Sequence, residues 1–249
     1  MIPKIKFEVK PLRKYQNVLY YFLNHTGWDK RIFREYPTLE KRLKLAGKFD
    51  KRNRIVYDFF DDIEKREKTK FNIKRKIFQK SWDKINDNSL RALSEINEID
   101  WSNADRFITA YVTLNPICPR YIKDRSFDLF YKFNIKQMRT VSLHELLHFI
   151  YFKKWKQVFP KTPEREFEGP SLVWELSEMV PAAILSDKRI QIIHKHEPTV
   201  YDEYKKLEIR NKPILDYLQE FYDDRDDFED FLRTSWDFVK KIKGRLLQS

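Results

Sequence analysis

Glycine is nearly missing from this chain, with four in 249 residues: Gly27, Gly47, Gly169 and Gly244. Tight β-turns and phosphate-cradling loops need residues that tolerate positive φ, so an all-β or dinucleotide-binding fold is disfavoured and a helix-rich one expected. Cysteine occurs once, at Cys118, which excludes an intramolecular disulfide and suits a reducing compartment. No apolar run approaches the length of a membrane span. The opening MIPKIKFEVK has no apolar h-region, so no signal peptide is expected. The expectation is a cytoplasmic protein with no membrane partner.

Core-forming material is plentiful: 41% of residues are hydrophobic and 16% aromatic, enough for a real core in a chain of this length. Fifty Lys and Arg stand against 38 Asp and Glu, a formal net charge of +12. Such an excess raises nucleic acid as a partner class. The cations read as spread along the chain, which favours a solvated lysine-rich surface instead.

Residues 1–100 read as mostly helical, after a short alternating strand in KIKFEVK. Helical spacing runs from Leu12 to Leu23, Arg31 to Leu45, Ile55 to Ile63 and Phe71 to Ile96. Asn86–Ser89 breaks the last stretch, and a new helix is expected at Leu90. The texture changes near Trp101. RFITAYVTLNPICP and FDLFYKF read as strands, expected to form a small antiparallel sheet. A long helix is expected from Ile135 to Lys156, closed by Pro160 and Pro163. Gly169-Pro170 then introduces a second helix, SLVWELSEMVPAAIL, with the proline in its first turn and a bend at Pro181. Two or three amphipathic helices follow, with Phe221, Phe228, Phe231, Trp236 and Phe238 as core. The chain is therefore read as α+β and predominantly helical: residues 1–100 a helical region of unknown role, residues 101–249 a second domain.

The chemistry centres on His144-Glu145-Leu146-Leu147-His148, in the middle of the first long helix. Residues four apart share one helical face, so both imidazoles can hold one metal at ~2.0–2.1 Å. Glu145 lies beside the open coordination position and can take a proton from water and pass it to a leaving amine. Apolar flanks on both sides make an idle carboxylate here costly. A candidate third ligand also lies downstream at plausible range.

HExxH in this setting resembles the zincin metallopeptidases. Tyr151 and Lys154 stand where metzincins have a glycine and a third histidine, so the resemblance is to the gluzincins, whose third ligand is a glutamate on a second helix. Trp174, Leu176 and Ser177 before Glu178 look like the family pattern, which makes Glu178 the implied ligand and Glu175 the alternative. The resemblance, over roughly residues 101–200, implies a zincin-like domain with an active-site helix and a glutamate helix. It also implies one Zn2+ per chain on His144, His148 and Glu178, Glu145 as general base, and hydrolysis of a peptide or protein substrate. An edge strand, RFITAYVTL or FDLFYKF, would pair with that substrate. His194, His196, Tyr201 and Tyr204 are candidates to stabilise the oxyanion. Peptide deformylases are also similar, with an upstream cysteine as ligand. Cys118 lacks that family's surroundings and reads as a small packed residue. The competing reading is a basic nucleic-acid-binding or regulatory protein with a structural or latent metal site.

Overall fold

The computed structural model describes residues 1–25, 27–46, 49–195 and 200–246. In chain order the elements are β1 (Lys4–Val9), α1 (Gln16–Leu23), α2 (Trp28–Glu35), α3 (Pro37–Leu45), α4 (Phe49–Asp83) and α5 (Asn86–Asn97). Then come β2 (Phe107–Thr113), β3 (Arg120–Tyr121), β4 (Ser126–Phe130), α6 (Ile135–Val158), α7 (Leu172–Met179), α8 (Pro181–Ile184) and α9 (Lys188–Ile193). The chain ends with α10 (Asp202–Lys206), β5 (Glu208–Ile209), β6 (Lys212–Pro213), α11 (Ile214–Asp223), α12 (Phe228–Lys241) and α13 (Lys243–Leu246). The protein is α+β and mostly helical. Among the described residues no helix is long and apolar enough to cross a membrane.

The chain forms two compact units, each discontinuous in sequence. One comprises Lys4–Lys84 and Phe107–Met138; the other comprises Met1–Pro3, Ile85–Arg106 and Arg139–Ser249.

The first unit holds a four-stranded sheet in the order β1-β2-β4-β3. The expected antiparallel arrangement is corrected here. β1 pairs parallel with β2, Ile5 beside Ile108 and Phe7 beside Ala110. β2 pairs parallel with β4, and only the two-residue β3 runs antiparallel. Parallel neighbours need a crossover, and α1–α4 lie in the chain between β1 and β2. The order also corrects the edge-strand expectation for RFITAYVTL, because β2 is flanked on both sides; β4 carries β3 only along Ser126 and Phe127. Alternation still explains the strands: Ile5 and Phe7 are buried while Lys4 and Lys6 are exposed. α4 packs on the sheet through Phe78, whose ring meets Phe7 at 6.4 Å edge-on. The two helical stretches expected at 55–63 and 71–85 are one helix, since no Gly or Pro interrupts them. The break at Asn86 does start a new helix, α5, but at Asn86 rather than Leu90.

Within the first unit one buried ion pair stands out. Lys10 Nζ lies 3.2 Å from Asp128 Oδ1, between the rings of Tyr111 (4.9 Å) and Tyr121 (4.1 Å). The Tyr121 hydroxyl donates to Asp128 Oδ2 at 3.2 Å. Burial pushes the Asp128 carboxyl up to about 6, against the pull of Lys10.

In the second unit α6 is the central helix, with every residue from Ser142 to Phe152 buried. A helix apolar on one face only would leave a wet side; this one is covered all round. α7 and α8 are separate helices meeting at Val180, with Pro181 opening α8. Proline has no N–H to continue the α7 ladder, so the expected bend is a break. The start of α7 also differs from the expectation. Ser171 is its N-cap, its Oγ accepting from the Trp174 N–H at 3.0 Å, and Pro170 lies ahead of the helix after a cis peptide bond. Of the expected C-terminal core, Phe228 and Phe231 are fully buried, while Phe221, Trp236 and Phe238 are half-buried.

Candidate metal centre

α6 turns His144 and His148 to one side, as a spacing of four residues dictates. α7 brings Glu178 to meet them. The Nε2 atoms of the two histidines are 3.0 Å apart. Glu178 Oε2 lies 3.4 Å from His144 Nε2, and Glu178 Oε1 lies 3.6 Å from His148 Nε2. One donor atom from each residue falls within 4.8 Å of the others, and all three residues are buried.

These separations can be tested against a metal. A tetrahedral ion with ligands at ~2.0–2.1 Å sets its donors about 3.3 Å apart along each edge. The 3.0 Å between the imidazoles and the 3.4 Å from His144 to Glu178 Oε2 lie on either side of that value, and the 3.6 Å from His148 runs to the carboxylate's other oxygen, Oε1. Two imidazoles and a carboxylate are also a donor set zinc accepts, with a fourth position left for water. The residues fit, and this buried group could hold a metal ion. The small exposure that remains is uneven: His144 and Glu145 keep 8% each, His148 1% and Glu178 3%. His144 and Glu145 are thus the least covered of the four.

Glu175 does not join the three. Its carboxylate accepts a short hydrogen bond from the Tyr204 hydroxyl. Burial pushes the Glu175 carboxyl above its ordinary range, and the charge of Glu178 adds to this, while the Tyr204 bond works the other way. The phenol of Tyr204 is pushed up in turn by burial and by Glu175.

The other expected residues are placed as follows. His194, at the end of α9, has its Nε2 3.0 Å from Thr140 Oγ1. Thr140 lies one turn before His144 on the same face of α6, so this imidazole sits on the motif's side of the helix. His196 falls outside the described residues. Tyr201 packs its ring 6.3 Å from Trp174 and 5.7 Å from Tyr204. Cys118 is buried in the other unit, its Sγ 3.8 Å from the carbonyls of Asn115 and Pro116.

Sequence reasoning passed over the support behind His148. Phe152 stacks on the His148 ring at 5.9 Å and 18°, and Phe167 stacks on Phe152 at 4.4 Å. The signal was present, because Phe152 follows His148 by four residues and Thr140 precedes His144 by four. Phe167 carried no such mark.

No family model matches the chain, and no curated protein or solved structure is significantly similar to it.

Proposed function

We propose that this protein is a zinc-dependent peptidase, with His144, His148 and Glu178 holding one ion and Glu145 serving as the general base. The observation that carries this reading is the convergence of three buried residues whose donor atoms lie within 4.8 Å of one another, with a fourth buried carboxylate next in sequence to His144. A shared cation would offset the desolvation of the Glu178 carboxylate and take both imidazoles as neutral ligands, which supports this reading.

When bound, zinc would lower the pKa of a coordinated water and polarise the scissile carbonyl. Everything else falls to the chain. Two imidazole nitrogens and one carboxylate fix the site's geometry from α6 and α7, and the aromatic column of Phe152 and Phe167 holds the His148 ring in place. Glu145 accepts a proton on its carboxylate as water attacks, then returns it to the departing amine. His144 and Glu145 keep more exposure than His148 and Glu178, which supports an approach to the centre beside the general base.

Metal analysis of the purified protein, together with hydrolysis of an unstructured protein substrate, tests the proposal. The expected result is one zinc per chain, lost in His144→Ala. Glu145→Gln should retain the metal and lose about 10²-fold or more in turnover. Zinc-replete protein that carries no metal, or a Glu145→Gln variant with unchanged turnover, overturns the reading.

A further inference from the structure

The excess of positive charge is not spread through the molecule. The unit made of residues 4–84 and 107–138 carries 29 Lys and Arg against 13 Asp and Glu, a net +16. The remainder, with the candidate metal centre, carries 21 against 25, a net −4. All of the chain's excess charge therefore belongs to the unit that has no part in the metal site. Segregation of this kind is the electrostatic footprint of a surface that meets anions.

The densest stretch is on α4, where residues 65–80 hold eight Lys and Arg and a single acid, Glu67. Lys65, Arg66, Lys68, Lys70, Lys76 and Lys80 are all exposed. Arg66, Lys70, Ile73, Ile77 and Lys80 follow one another at alternating steps of four and three, so they form one stripe along the helix. Both isoleucines in that stripe point to solvent, Ile73 51% and Ile77 45% exposed, while Ile63, Phe71 and Phe78 of the same helix are buried. On the same unit Leu45 is 88% exposed beside Lys41, Arg42 and Lys44.

We propose that the outward face of α4 docks on an anionic phospholipid surface, Ile73 and Ile77 entering the headgroup layer while the surrounding cations meet lipid phosphates. Aliphatic side chains ringed by Lys and Arg match that surface in both respects, apolar at its depth and negative at its rim. Nucleic acid answers the charge alone. It offers no partner for two isoleucines, and the stripe has no aromatic ring on which a base could stack. A coiled-coil partner is disfavoured by length, since a stable seam needs three or four heptads of apolar residues and only two such positions occur here. The +16 charge gives reach, and the isoleucines give retention.

The test is flotation of the full-length protein with phosphatidylcholine vesicles, with and without phosphatidylserine, at low and high salt. Binding is expected only with phosphatidylserine and should weaken steeply with salt. Each cation at such a surface is worth roughly fivefold in partition, so Lys70→Glu/Lys80→Glu should lose well over tenfold. Ile73→Ser/Ile77→Ser, on an exposed face, should fold normally by circular dichroism and lose about tenfold or more through the apolar term alone. Three results overturn the proposal: no partition onto the acidic vesicles, equal partition of the isoleucine variant, or release of wild type by duplex DNA that the isoleucine variant binds as tightly. Metal content measured on the same variants should be unchanged, which keeps this test separate from that of the metal centre.

Discussion

The Tyr204 hydroxyl donates to the Glu175 carboxylate, one helical turn ahead of Glu178 on the same face of α7. Two acids on one face thus have separate partners, the first a phenol and the second a pair of imidazoles. That division distinguishes their mutants. Glu178→Ala should abolish stoichiometric metal binding, whereas Glu175→Gln and Tyr204→Phe should weaken it by about 10–100-fold at most, as loss of outer-shell support does. Competition with a zinc chelator measures this. Equal metal loss from Glu175→Gln and Glu178→Ala would refute the assignment.

Phe152 supports His148 from the next turn of α6 and is itself backed by Phe167. Phe152→Ala should cost about 3–5 kcal/mol of stability, since it opens a cavity in a buried aromatic column. Phe152→Leu keeps most of the volume and should cost under about 1.5–2 kcal/mol. Urea melts compare the two. Chelator competition on Phe152→Leu should still show a loosened site, because leucine gives the imidazole no flat surface to stack on.

Asp128 makes the protein's stability fall as pH rises. Its carboxyl sits at about 6 in the fold against 3.8 for the ordinary group, so between those values the folded chain holds a proton that the unfolded chain has released. Stability then declines as pH climbs from about 4 to about 6, by up to about 3 kcal/mol, and regains nothing above that window. Lys10 limits the penalty, and Lys10→Met should deepen it and extend it to higher pH. Urea midpoints across pH 4–7 should slope in wild type and flatten over that window in Asp128→Asn. Parallel slopes in the two would contradict the account.

Asp187 pulls in the opposite sense. Burial works to raise its carboxyl, but bonds from the Arg189 side chain and backbone and from Tyr222 outweigh this and hold it well below the ordinary range. Its contribution is therefore complete above the unfolded carboxyl value and fades as the solution becomes more acidic. Asp187 also caps α9 through the Arg189 N–H at 2.9 Å. Asp187→Ala should cost about 1 kcal/mol at neutral pH by thermal melting, and less at acid pH. A larger loss in acid than at neutrality would be the wrong sign.

What could be read from the sequence followed the range of each signal. The long helix was expected at 135–156 and is found at Ile135–Val158, because both its apolar content and its proline stop are local. The pairing of His144 with His148 is likewise a matter of four residues. Glu178 was reached only through a resemblance, since nothing in α7 itself states which of two acids faces α6. The strands were recognised at β1, β2 and β4, but their partners were not. Alternation says that Phe107–Thr113 is extended and half-covered, and is silent on what lies to either side. The charge asymmetry, by contrast, was legible and was passed over: residues 4–84 alone carry 24 Lys and Arg against 11 Asp and Glu, and the return of β2 and β4 to β1 adds only 5 against 2.

That return has a cost in time. β1 finds its neighbour about a hundred positions later in the chain, so the earliest strand made must wait for Phe107 and beyond before any rung of its ladder can close. A ribosome emitting this protein would expose Ile5 and Phe7 on an unmatched edge throughout that interval. A truncation ending before Phe107 would keep them exposed indefinitely and should clump where the intact chain does not.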